Sequence, residues 1–129
     1  MKPESSNKKF GFKRFLNSFK YSLQGLKYAY FHEQSMFIHA LATILGILLG
    51  LILKINRYEW IIVISLLCLI AVLELFNTSI EATCDAITKE KNPLIKIAKD
   101  TASGAVFVAS IVGILVGLII FIPKIVVLL

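Results

Sequence analysis

Three apolar runs, at residues 36–53, 60–82 and 103–122, decide what this chain can become. At about 1.5 Å per helical residue, each reaches across most or all of a hydrocarbon layer about 30 Å thick. Inside such a layer no water satisfies the backbone, so each segment must bond its own N–H and C=O groups as a helix. The expected fold class is therefore all-α and integral to a membrane. Hydrophobic residues make up 57% of the 129, above the roughly half found in soluble domains. The length allows one domain, residues 1–129. The two cysteines, Cys68 and Cys84, lie in or beside an apolar helix. They suggest no disulfide framework and read as small buried hydrophobes. The first long apolar run begins near Met36, too deep for a signal peptide.

Residues 1–10 read as a polar, frayed tail. Residues 12–31 then repeat Phe12, Phe15, Leu16, Phe19, Leu23, Leu26 and Tyr30 at helical spacing, with Lys13, Arg14, Asn17, Lys20, Gln24 and Lys27 between them. That is the pattern of a helix lying in the membrane interface, its basic face toward anionic lipid. Gly25 weakens this helix slightly and allows close packing. Gly46 with Gly50, and Gly113 with Gly117, are small-residue pairs suited to helix contacts within a bilayer. His39, one turn inside the first span, reads as a hydrogen-bonded structural residue. Residues 54–59 form a polar connection, with Tyr58 and Trp60 as interfacial aromatics. Asn92 and Pro93 supply an N-cap and first-turn pair that restarts a helix before the third span. Pro123 and Lys124 mark that span's far end.

Charge sets an orientation. Seven Lys/Arg precede the first span and four lie between the second and third, against two in the first connection and one after the third. Eleven against three places the N-terminus and the second connection in the cytoplasm, and the C-terminus outside.

The second span ends unusually. Acidic or amide side chains stand at Glu74, Asn77, Glu81 and Asp85. At 100° per residue they fall at about 0°, −60°, −20° and +20°, on one helix face. Carboxylates that continue an apolar helix are expensive and usually functional. The same end collects Glu33, Lys99 and Asp100. Glu33 and Glu81 could hold a hard cation such as Mg²⁺ beside substrate phosphates. Glu74, deeper, could act as general base on a buried hydroxyl. Lys99 could neutralise phosphate, and Asn77 could orient a carboxylate. That set suits phosphoryl transfer from a nucleotide to a membrane alcohol. No phosphate-binding glycine loop of the soluble kinds is present. The residues alone leave three readings open: a kinase, a proton or cation pathway, and a structural role with Glu81 and Asp85 paired to Lys99 and Lys96.

The pattern Glu74-x-x-Asn77-Thr-x-Ile80-Glu81-x-x-x-Asp85, followed by Ala98-Lys99-Asp100-x-x-Ser103-Gly104-Ala105-Val106, closely resembles the signature of the prokaryotic diacylglycerol kinase / undecaprenol kinase family. Tyr21-Ser22-x-x-Gly25-Leu26-x-x-Ala29 and Glu33 also match, and the resemblance covers residues 11 to about 122. It implies a homotrimeric enzyme with one surface helix and three transmembrane helices per protomer. It also implies transfer of the ATP γ-phosphate to a lipid hydroxyl with Mg²⁺. Carried over, Glu74 would be the general base, and Glu33 and Glu81 the metal ligands. Arg14, Tyr21, Glu33, Asn77, Glu81, Glu90, Lys91, Asn92, Lys99 and Asp100 would line the ATP site. Arg14, Glu74 and Ser103 would meet the lipid substrate. The resemblance leaves Asp85 without a role of its own, and it is expected only to hold Lys99 or a neighbouring backbone in place. There are departures. Met36-Phe37 replaces an aromatic-basic pair, Gly104 stands where alanine is common, and His39 stands where the proteobacterial type has a second glutamate. His39 looks like the Gram-positive type, whose members are undecaprenol kinases. Undecaprenol is therefore the expected acceptor and diacylglycerol the alternative. The expected partners are that lipid, anionic lipid at the basic helix and further copies of the chain, with no nucleic acid.

Overall fold

The structure is a computed structural model that describes residues 11–129, and its regular structure is entirely helical. The expected tail at 1–10 lies outside the described residues. The helices are α1 (Phe12–His32), α2 (Gln34–Ile52), α3 (Arg57–Ile87) and α4 (Pro93–Leu128). The last three are long and apolar enough to cross a membrane. Their apolar side chains are mostly exposed, as with Phe107, Val108 and Ile119. A soluble protein would bury such a surface; a membrane protein can leave it to lipid or to neighbouring helices.

Each boundary has a local cause. Glu33 alone separates α1 from α2, in an extended conformation (φ −104°, ψ 117°) that turns the chain from one helix into the next. Between α2 and α3 the backbone makes a Schellman turn. The Ile55 N–H donates to Gly50 O at 3.1 Å and the Lys54 N–H to Leu51 O at 3.3 Å. Lys54 occupies the left-handed position at φ 50°, where glycine is the usual residue. Asn56 then opens α3 with a capping box. Its side chain accepts from the N–H groups of Tyr58 (2.9 Å) and Glu59 (3.0 Å), while its own N–H donates to Glu59 Oε2 at 2.7 Å. This box starts α3 three residues earlier than the apolar run does. α3 also continues to Ile87, past the expected limit at 82, because its last turns carry the acidic face rather than ending at it. Asn92 caps α4 through the N–H groups of Leu94 and Ile95, with Pro93 in the first turn, as expected.

Two expectations are corrected. The helix does not stop at Pro123: α4 runs through it to Leu128. The proline removes one backbone donor, and in apolar surroundings unravelling the following turn would expose several backbone groups instead. Cys68 is exposed on this chain rather than buried, because α3 is apolar all round at that level and only part of its surface packs against the other helices; Cys84 is buried.

α3 and α4 form the main helix pair, and α2 packs against both. A methyl on Gly50 would come within 2.7 Å of the Trp60 ring, and one on Gly113 within 3.0 Å of Ile70. These two glycines set the approach of α2 and α4 to α3. Ile55, Val63 and Ile120 form a small core at the end that holds the α2–α3 turn, flanked by Trp60 and Phe121. There Lys124 Nζ meets Glu59 Oε2 at 3.0 Å, tying α4 to the first turn of α3. The N–H of Asn56 and then Lys124 hold Glu59 below the usual carboxylate range.

Candidate active site

At the opposite end, α1 packs against α2 and α3, and the last turns of α3 carry the start of α4, which α1 does not touch. Ala29 and Met36, each 1% exposed, seal the corner where α1 turns into α2.

Glu74 is the most deeply placed acidic side chain of this end, 3% exposed. Both of its oxygens are engaged from α2. Oε1 lies 3.0 Å from His39 Nε2, and Oε2 accepts the Ser35 hydroxyl at 3.0 Å. Ser35 and His39 are four residues apart, so one face of α2 presents both. His39 is thus hydrogen-bonded, as expected, but its partner is the proposed base. Ser35 is the residue that sequence reasoning missed. The one signal was its helical spacing from His39, a spacing that Thr43 shares and that therefore does not single it out.

One turn further along α3, Asn77 Nδ2 donates to Glu81 Oε1 at 3.1 Å. Asn77 Oδ1 and the Thr78 hydroxyl are buried without a partner. A buried amide oxygen with nothing to accept is costly, and it stands beside a carboxylate. Glu33 is half-buried at the α1–α2 break. Among the described residues no three His, Cys, Asp or Glu side chains gather into a complete metal site. Glu33, Glu81 and the free Asn77 oxygen are all hard oxygen donors. That set fits Mg²⁺, which keeps waters and takes phosphate oxygens rather than a full protein cage.

Nearer the helix ends, Lys99 Nζ donates to Asp85 Oδ1 at 2.8 Å, joining α4 to α3. Asp85 above all raises the Lys99 pKa, and Glu81 adds to it. The expectation that Asp85 holds Lys99 is met. Lys96 pairs with Asp100 on its own helix rather than with Asp85 or Glu81. Arg14 and Tyr21 are exposed along α1, and no side-chain hydrogen bond among the described residues joins them to the carboxylates. Glu90 and Lys91 are exposed in the turn after α3, where the Glu90 N–H donates to Thr88. The Asn92 oxygen is committed to capping α4. Ser103 is exposed on α4.

A groove of about 500 Å³ runs between α1 and α3, lined by Gly25, Leu26, Leu75, Thr78 and Ala82 among others. A methyl on Gly25 would meet nothing within 4 Å, so this glycine leaves the groove open and does not bring helices together.

Residues 20–121 match the prokaryotic diacylglycerol kinase family. The chain is 38% identical to an undecaprenol kinase of Bacillus subtilis over 86% of its own length and 90% of that protein's. It is 37% identical to a diacylglycerol kinase of Pseudomonas aeruginosa over 84% and 89% of the two chains. A diacylglycerol kinase of Haemophilus influenzae is 39% identical over 86% and 95%.

Proposed function

Because the chain belongs to the prokaryotic diacylglycerol kinase family, a family of membrane lipid kinases that use ATP, we propose that its acceptor is undecaprenol and its product undecaprenyl phosphate. The observation that carries the chemistry is Glu74, buried in a helix long and apolar enough to cross a membrane, with a donor on each oxygen. A carboxylate so placed meets a buried hydroxyl, not a solvated one.

Glu74 removes the proton from the lipid hydroxyl as that oxygen bonds to the γ-phosphorus. The bond from the γ-phosphorus to the β,γ-bridging oxygen breaks, and its electron pair leaves with ADP. The proton on Glu74 later returns to water. Mg²⁺, when bound, neutralises charge on the phosphates. Glu33 and Glu81 would hold it, with Asn77 orienting Glu81. Lys99, Asp100, Arg14, Tyr21 and the turn at Glu90, Lys91 and Asn92 form the nucleotide side of the proposal. Ser103 and Arg14 meet the lipid. The α1–α3 groove offers an apolar trough beside this part of α3, suited to an isoprenoid chain. The exposed Lys13, Arg14, Lys20 and Lys27 of α1 suit anionic lipid at a cytoplasmic surface, in keeping with the lysine and arginine bias of the loops. A homotrimer completes the proposal.

Undecaprenol is favoured by the undecaprenol kinase likeness and by His39. The second reading, phosphorylation of diacylglycerol, is favoured by the diacylglycerol kinases of similar identity. The test is ADP release by protein reconstituted in vesicles with Mg·ATP and one added alcohol: undecaprenol, diacylglycerol or a ceramide. The proposal expects release stimulated most by undecaprenol. Stimulation by diacylglycerol alone selects the second reading, and none by any alcohol refutes both.

A further inference from the structure

We infer that Ser35 and His39 are positioning residues that clamp the Glu74 carboxylate from both sides. The inference rests on the reading of Glu74 as the base, and it assigns a role to two α2 residues that reading does not need. The contacts are one per oxygen: His39 Nε2 on Oε1 and Ser35 Oγ on Oε2, each at 3.0 Å. The other ion pairs among the described residues, Lys99–Asp85, Lys96–Asp100 and Lys124–Glu59, are made elsewhere, and no lysine or arginine reaches Glu74. The buried carboxylate therefore depends on α2 alone for its partners.

A carboxylate has about four lone-pair sites. The clamp uses one on each oxygen and leaves one on each free. An unclamped glutamate rotates about its last torsion and is broad in orientation there. Donors on both oxygens remove that freedom, so the free lone pairs keep one direction. A base held in one direction meets the lipid hydroxyl in a reactive pose, and misplacement by about 1 Å can cost about a hundredfold in rate. The clamp also couples the helices: α2 sets the aim of a group carried by α3.

The experiment uses the full-length protein in vesicles, with kcat and KM measured for Mg·ATP and undecaprenol, and with diacylglycerol substituted if that is the better acceptor. His39→Ala and Ser35→Ala lower kcat roughly ten- to a hundredfold while the KM for Mg·ATP stays within about threefold. His39→Gln and Ser35→Thr, which keep a donor, return most of the loss. A second readout does not depend on activity. Melting temperatures are taken for His39→Ala, Glu74→Leu and the double variant. If the two residues are partners, the double variant melts higher than the sum of the single losses allows. Additive melting shifts, or unchanged kcat in both alanine variants, overturn the clamp. Coupled melting together with full turnover in Glu74→Gln would keep the clamp and overturn the base assignment, so the two ideas fail separately.

Discussion

Replacing Glu74 by glutamine separates chemistry from packing. The side chain is 3% exposed and holds two contacts at 3.0 Å. Glutamine has the same shape, but one carboxylate oxygen becomes an amide that donates. The partners can adapt. The Ser35 hydroxyl can rotate to accept, or His39 can take the tautomer in which Nε2 accepts. The stability loss is then about 1 kcal/mol, one hydrogen bond weakened rather than a buried donor abandoned. Turnover behaves differently, because an amide cannot take a proton from the lipid hydroxyl. Loss of a general base costs about 10²–10⁴ in rate, or about 3–5 kcal/mol of barrier. The assay is steady-state turnover in vesicles at saturating Mg·ATP and acceptor, with thermal unfolding measured on the same preparation. Turnover within threefold of the parent protein (roughly 0.6 kcal/mol), with melting unchanged, would exclude Glu74 as the base.

Glu81→Gln raises the Mg²⁺ concentration for half-maximal turnover by roughly tenfold or more, and an unchanged titration removes Glu81 from the metal. Gly50→Ala drives a methyl to 2.7 Å from Trp60. It lowers stability by about 1–3 kcal/mol, read by unfolding in detergent, with the KM for Mg·ATP unaffected. Glu59 has a lowered pKa, so the stabilisation it gives is complete above the usual carboxylate value and is lost as pH falls through its own lower value. Glu59→Gln flattens that acid limb of the stability curve, and a limb of unchanged steepness counts against the Asn56–Glu59–Lys124 arrangement.

How much of this was legible follows from what each helix had to reveal. The spans were visible because hydrophobicity runs along the chain, where sequence is read directly. Their ends were less so. The capping box at Asn56 and Glu59 begins α3 among polar residues, and α4 crosses Pro123 because apolar surroundings penalise unravelled backbone. The shared face of Glu74, Asn77, Glu81 and Asp85 was legible from helical period alone; the Asp85–Lys99 pair, which joins two helices, was legible only as one of several pairings. Ser35 and the exposure of Cys68 were not. A helix that meets lipid on one side and protein on the other is apolar on both, so its pattern carries no signal of which face turns inward. Only the packing of α2 on α3 brings Ser35 and His39 to Glu74.

Transfer of phosphate from nucleotide to lipid is the step proposed for this site. Its most direct test is a single turnover with ATP labelled in the γ-phosphate, the reconstituted protein in excess and undecaprenol present. Label is expected in undecaprenyl phosphate, one for each ADP formed. Label released as inorganic phosphate, with the lipid unlabelled, would contradict it.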